Sequence, residues 1–486
     1  MQLVSARWAR SLRRRHIRPR FNVTRHVRQR GAARRRRRYH LHTIRGAWSM
    51  AMAVDPEIGF TADVIRDPGR FVGRTSLIRQ SISAVNSATG LIAVFGKRGV
   101  GKSSLLRQLQ QMALGDYTLA RRAGLAHEIP NRPRTYLTVY YTCDSMIADG
   151  KGLLSRLIND QDAEDGLLRL VPNDGKEIVE FTRTKEVSGG ADLKVVNWGA
   201  KGVEASKYAR IVEGDVVQTF RNFVGAIVDT QVKRRMKRDG LLIILDEFDV
   251  IANKTGIGSL IKSLTTPEVK FAVCGVGGDL IDLIVDHASV ERLIEQGELP
   301  VKPMPEAESE EIIYRASELF GESVRFAPGI SAKIAKLGGG FPYFVQLIGK
   351  QCVTEMNARA SDLIDDDVFD EVVSGIKSGK GFPTLERAYQ MAIGNSETRQ
   401  LLLHLLAEQD SEQSSFNDEI GRIVLKASRE TAEEMGIQYM DQLMPRLLDA
   451  KYGPVMQRVD HGVYEFVNPV LRQYVRLRDL PMASSQ

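Results

Sequence analysis

Cysteine is scarce in this chain of 486 residues. There are three, Cys143, Cys274 and Cys352, far apart and without the paired spacing of zinc ligands. That excludes a disulfide framework and a structural zinc site, and the chain reads as cytoplasmic. No apolar run approaches the roughly 20 residues that a membrane-spanning helix requires, so a membrane role is not expected. Residues 1–50 contain neither lysine nor any acid, yet carry sixteen arginines. The overall net charge of +8 therefore misleads. Taking those sixteen from 68 basic residues leaves 52 against 60 acidic ones, so residues 51–486 carry a net charge of −8.

With almost nothing aliphatic to bury, residues 1–54 read as a disordered arginine-rich tail. Three readings stay open: an arm binding nucleic-acid phosphates, an organellar transit peptide, or a segment before the true start at Met50 or Met52. Beyond it the chain is long enough for two or three domains with real cores.

What is present is concentrated in one stretch. An apolar run, Leu91 to Phe95, leads into Gly96-Lys97-Arg98-Gly99-Val100-Gly101-Lys102-Ser103-Ser104 and then an amphipathic helix pattern to Met112. This is the G-x-x-x-x-G-K-S phosphate loop in its required strand–loop–helix setting. Glycines let the backbone wrap an anion and aim N–H groups inward, and the helix dipole points at the same charge. Lys102 would reach the β- and γ-phosphates of ATP, and the Ser103 hydroxyl would hold Mg²⁺. Upstream, Phe71-Val72-Gly73-Arg74 precedes a helix pattern from Ser76 and is placed to pack on the adenine face.

A second decisive stretch is Leu241 to Asp249. Five aliphatics in a row predict a buried parallel strand, and acids sit at its C-terminal end, where open α/β sheets bind ligands. Asp246 would hold Mg²⁺ through its shell, Glu247 would polarise the attacking water, and Asp249 would orient the site or contact a neighbour. Thr135–Cys143, Lys270–Gly275 and Glu298–Met304 read as further core strands, and Asp215–Lys237 as one long helix. Residues 170–210 lack helical period and read as an inserted hairpin or loop. Asp279 stands where a polar residue senses the γ-phosphate. Arg292 would act on a neighbouring subunit's nucleotide, with a surface ion pair as the bland alternative.

From Glu306 the pattern is helical to about residue 380, a lid containing Gly340-Phe341-Pro342, with Pro342 close to the base or phosphates. Residues 390–480 show helical patterns over Glu397–Glu408, Ile420–Glu434 and Tyr439–Ala450, a hairpin signal at Asp460-His461-Gly462 and a closing helix, which is a winged-helix order. This unit holds 10 basic and 14 acidic residues over 396–486. A DNA reader would want donors and cations along its recognition helix, so the wing is expected to serve protein contacts or internal control.

Together, Phe71–Arg74, the phosphate loop, Leu245-Asp246-Glu247-Phe248-Asp249, the Gly340-Phe341-Pro342 turn and the terminal winged helix resemble the AAA+/STAND ATPases of the origin-recognition and archaeal-ATPase kind, over about residues 60–480. The fold implied is an α/β P-loop NTPase parallel-sheet core (55–305), a helical lid (306–380) and a C-terminal winged-helix domain. The resemblance implies a nucleotide-dependent switch that assembles as a homo-oligomer on binding ATP, with the winged helix as clamp. Pro342 stands near the place where initiator-type lids offer an arginine, which favours slow hydrolysis. The alternative is a DNA-associated ATPase of replication or mobile-element transactions.

Overall fold

The computed structural model describes residues 53–87, 90–159, 167–170, 216–277, 297–409 and 439–479, with short pieces between 284 and 295 and between 422 and 437. The basic tail, nearly all of 170–210, Asp279 and Arg292 lie outside the described residues. In chain order the core carries α1 (Thr75–Asn86), β1 (Leu91–Gly96), α2 (Lys102–Leu114), α3 (Thr118–Arg122), β2 (Tyr136–Thr142), α4 (Gly150–Asn159), α5 (Val216–Ile227), β3 (Gly240–Asp246), α6 (Ile257–Leu264), β4 (Val269–Val276) and β5 (Glu298–Pro300). The five strands form one sheet in the order β2-β3-β4-β1-β5, every neighbour parallel. The non-sequential order places β1 between β4 and β5, so the loop leaving β1 emerges at the same end of the sheet as the acid-bearing end of β3, one strand away across β4.

Alternation along β1 explains why the sheet is covered on both faces. Ile92 and Val94 join the core formed with α1 and α2, whereas Leu91, Ala93 and Phe95 join the core formed with α4, α5 and α6. All seven residues of β3 are buried, as an uninterrupted aliphatic run requires.

The expected long helix is interrupted in kind. It is α-helical to Ile227 and π-helical over Val228–Met236, where the Thr230 hydroxyl donates back to the Ala226 carbonyl at 2.7 Å. The last core strand is also shorter than the pattern suggested. Beyond Pro300 the chain leaves the sheet after Val301 N–H bonds the Phe95 carbonyl, and the Met304 N–H turns to Gly340.

The lid comprises α7 (Glu306–Phe320), β6 (Arg325–Phe326), α8 (Ile330–Gly338), α9 (Pro342–Ala358), β7 (Leu363–Ile364) and α10 (Asp366–Lys377). The C-terminal unit follows as α11 (Pro383–Ile393), α12 (Glu397–Glu408), β8 (Arg422–Val424), α13 (Met440–Leu448), β9 (Met456–Asp460), β10 (Val463–Phe466) and α14 (Pro469–Leu477). Two readings are corrected here. The Ile420–Glu434 helix gives way at its start to β8, which pairs antiparallel with β10 and makes the wing three-stranded. Its Ile423 and Val424 are β-branched, a preference that the surrounding helix-forming residues mask. Helix α11, introduced by Pro383 in its first turn, falls in the gap left between lid and wing. Phe382 bridges that gap, its ring 5.4 Å from Phe344 of the lid and 6.3 Å from Tyr474 of α14, so lid and wing share one core.

Candidate functional site

The phosphate loop is shaped by backbone that only glycine adopts without strain. Gly96 has φ 151° and a Cβ there would lie 2.2 Å from the Val301 carbonyl oxygen; Gly99 and Gly101 have φ 79° and 95°. Helix α2 starts at Lys102 directly after Gly101, so its free N–H groups face the loop's interior. The Lys102 ammonium donates to the Lys97 carbonyl at 2.8 Å, folded back on its own loop. Burial lowers its pKa, opposed by the nearby Asp249 and Asp246.

At the end of β3, Asp246 is buried. Its Oδ1 accepts the Glu247 N–H at 2.9 Å and its Oδ2 accepts the Tyr140 hydroxyl at 2.5 Å. Glu247 is held at φ 52°, a left-handed conformation rare for a side-chain-bearing residue and often found at functional sites. Burial raises the pKa of its carboxyl, and Asp246 and Asp249 raise it further. Asp249 also has a structural bond: its Oδ1 accepts the Val276 N–H at 2.8 Å and so ties the turn after β3 to the end of β4.

The upstream Phe71–Arg74 element lines the cavity beside the phosphate loop, and Arg74 also has a second task. Arg74, 8% exposed, donates from Nη1 to the Lys302 carbonyl at 2.7 Å and from Nη2 to the Val100 carbonyl at 3.0 Å. Its guanidinium braces the phosphate loop from behind, and burial brings its pKa down to about 10. Gly73 and Arg74 in turn donate backbone N–H groups to Glu311 and Glu308 of the lid.

A cavity of about 250 Å³ opens beside the loop, lined among others by Ile65, Phe71, Val100, Leu105, Pro342 and Tyr343. Its outer wall is the 61–66 segment, fastened by Thr61 N–H to Gln346 and by Ile65 N–H to the Ser104 hydroxyl. Ser104 is thus engaged in building the wall. Pro342 lies in the first turn of α9 and lines the cavity, and the Tyr343 N–H donates to the Gly99 carbonyl at 3.3 Å. Arg98 is exposed at the loop tip.

Lys97 faces away from this cavity. Its ammonium pairs with Glu465 Oε2 on β10, while Gln457 of β9 donates to Glu465 Oε1. Beside it, Val470 of α14 packs against Gly99 so closely that a Cβ on the glycine would lie 2.8 Å from it. Of Lys97, only the backbone is left for a phosphate. Sequence reasoning missed Glu465, Tyr140 and the 61–66 wall. A glutamate in a hairpin and a tyrosine in a strand carry no motif, and only the fold brings them to the loop.

The donor set fits a magnesium nucleotide. The cradle is open at Gly101, where a Cβ would meet nothing within 4 Å, the helix start supplies N–H groups, and Ser103 and the preset Asp246 carboxylate supply the hard oxygen ligands Mg²⁺ prefers.

No protein-family profile and no curated protein matches the sequence. Among solved structures the chain is similar to the Aeropyrum pernix ORC1 protein in complex with DNA, at 12% identity and a TM-score of 0.40, covering 86% of this chain and 93% of that one. It is also similar to a Walker-type ATPase of Pyrococcus abyssi, at 15% identity and a TM-score of 0.41, with 84% and 96% covered. A third likeness is to Drosophila ORC bound to DNA, at 14% identity and a TM-score of 0.37, with 92% and 96% covered.

Proposed function

We propose that this chain is an ATP-binding, ATP-hydrolysing switch of AAA+/STAND type, in which the C-terminal winged-helix unit restrains the phosphate loop. The observation that carries the switch is the grip on the loop itself: Glu465 holds Lys97, and Val470 presses on Gly99. In this conformation Lys102 spends its ammonium on the loop's own carbonyl. An incoming triphosphate offers that ammonium charged oxygens in place of a neutral carbonyl, a stronger partner by roughly a factor of two. Ser103 and Asp246 would hold Mg²⁺, which neutralises charge developing on the phosphate oxygens. Glu247, strained and raised in pKa, takes the proton of an attacking water.

Ligand shifts a conformation only by its differential affinity for the two states. The loop supplies that difference, because re-forming around phosphate disturbs the surface on which Val470 and Glu465 rest. A released winged helix is then free for a protein partner, and assembly of ATP-bound copies, with Arg292 acting on a neighbour's nucleotide, completes the proposal. The test is an ATP titration and turnover assay on the full chain, with assembled mass measured with and without ATP. Binding with slow turnover is expected; a chain that binds no ATP overturns the reading.

A further inference from the structure

We infer that Tyr140 is a positioning residue for the metal-binding carboxylate Asp246, held in place by a cation from the phosphate-loop helix. The inference rests on the ATP-site reading above. Tyr140 lies on β2, in register with Ile244 of β3, two positions before the Thr142–Asp246 pairing. The parallel register and the shared sheet face let the tyrosine ring run up along the sheet so that its hydroxyl meets Asp246. That hydrogen bond is 2.5 Å long and buried.

Three observations make this a built arrangement. First, both carboxylate oxygens are already engaged, Oδ1 by the Glu247 N–H and Oδ2 by the phenol, so the plane of the carboxylate is fixed before any metal arrives. Second, the bond is buried, and a phenol is a donor at neutral pH, so the hydroxyl meets the carboxylate without competition from solvent. Third, the Arg107 guanidinium lies 3.2 Å from the centre of the Tyr140 ring, one helical turn beyond Ser103 on α2. The ring is pressed between the helix that would present Ser103 and the strand that presents Asp246. Tyr140 therefore sets the spacing of the two groups proposed to share one Mg²⁺. Partners that orient metal ligands in this way typically contribute about 10–100-fold in metal affinity.

The test measures nucleotide binding, not turnover, as Mg²⁺ is titrated onto the full chain with a fluorescent ATP analogue. Tyr140→Phe keeps the ring and removes the hydroxyl. The expected result is a Mg²⁺ midpoint raised roughly 10-fold or more, with metal-free nucleotide affinity close to that of the parent. A purely structural role would weaken both equally. Arg107→Met keeps the hydroxyl, loses the stacked cation, and is expected to give a smaller shift in the same direction should Tyr140→Phe not fold. If parent and both variants share one Mg²⁺ midpoint, the positioning role falls while the ATP site stands. If the parent binds no nucleotide with or without Mg²⁺, both readings fall together.

Discussion

The ammonium of Lys97, inside the phosphate loop, pairs with the carboxylate of Glu465 in the C-terminal hairpin, 368 positions further along the chain. Both side chains are largely buried, at 14% and 11% exposed. A buried pair is a weak source of stability but a strict one: removing one partner strands the other charge. This makes it suited to a contact that is to hold in one state and break in another.

Weakening that contact is expected to favour nucleotide. Glu465→Gln keeps the shape and the Gln457 neighbour but loses the charge, and is expected to tighten ATP binding by about 10–150-fold, the range of a charged hydrogen bond. Equilibrium titration against the parent checks it. Unchanged affinity would show that the docked wing does not oppose ATP.

Binding and hydrolysis are expected to separate. Lys102→Ala should lower ATP affinity on the order of 100-fold, having lost its charged partner for phosphate. Glu247→Gln should bind ATP like the parent and turn it over roughly 10²–10⁴-fold more slowly. Turnover at the parental rate in Glu247→Gln would remove Glu247 from the role of base.

The pH profile carries a matching signature. Burial and two neighbouring acids raise the Glu247 pKa, so the base is lost to protonation at a higher pH than an ordinary glutamate would be. The acidic limb of the rate profile should lie at higher pH than an unperturbed glutamate would give. Asp249→Asn removes one of those acids and should move that limb to lower pH, a shift read directly from rates between pH 4 and 8.

Much of this was legible in the residues, and the illegible part has a physical reason. The phosphate loop, the acid-tipped β3 and the wing hairpin declare themselves because each combines a local period with residues that only one backbone suits. Arg74 declared its importance but not its task. Its distance from the loop suggested a contact with the base. Its element does line the cavity beside the loop, but the two bonds of its guanidinium to the Lys302 and Val100 carbonyls were not foreseeable. Tyr140 and Glu465 were silent because their roles depend on register and docking, which no window of sequence contains. Helix α11 and strand β8 were missed where a proline and a β-branched pair, Ile423-Val424, fell beside longer helical patterns.

Acid should loosen the C-terminal unit through His404. The imidazole is buried, bonded at 2.9 Å to the Tyr389 hydroxyl, and burial with Arg478 nearby brings its pKa down to about 4. An unfolded histidine titrates near 6.5, so between the two values the unfolded chain binds the proton and the folded one does not. Stability from this group is full above about pH 6.5 and is lost as pH falls toward 4. Melting temperatures of the parent and of His404→Gln, followed from pH 7 to 5, should converge or cross as pH falls. Parallel curves would exclude His404.

Arg74→Lys tests the brace. One ammonium cannot reproduce a planar fork that reaches two carbonyls in different directions. ATP affinity is expected to fall by about 3–30-fold, with the Mg²⁺ midpoint unmoved, as judged by the same titrations. A variant with parental affinity would make Arg74 a packing residue only.

The brace also bears on how small a working piece of this chain can be. The phosphate loop takes its shape partly from a guanidinium that enters from the residue just before α1 and from a wall of chain, residues 61–66, that comes earlier still. A fragment cut at the borders of the recognisable motif would keep every glycine and lose the fastening on two sides. The minimal nucleotide-binding unit is therefore defined by what grips the loop, and its first residue lies well upstream of anything that looks like a nucleotide motif.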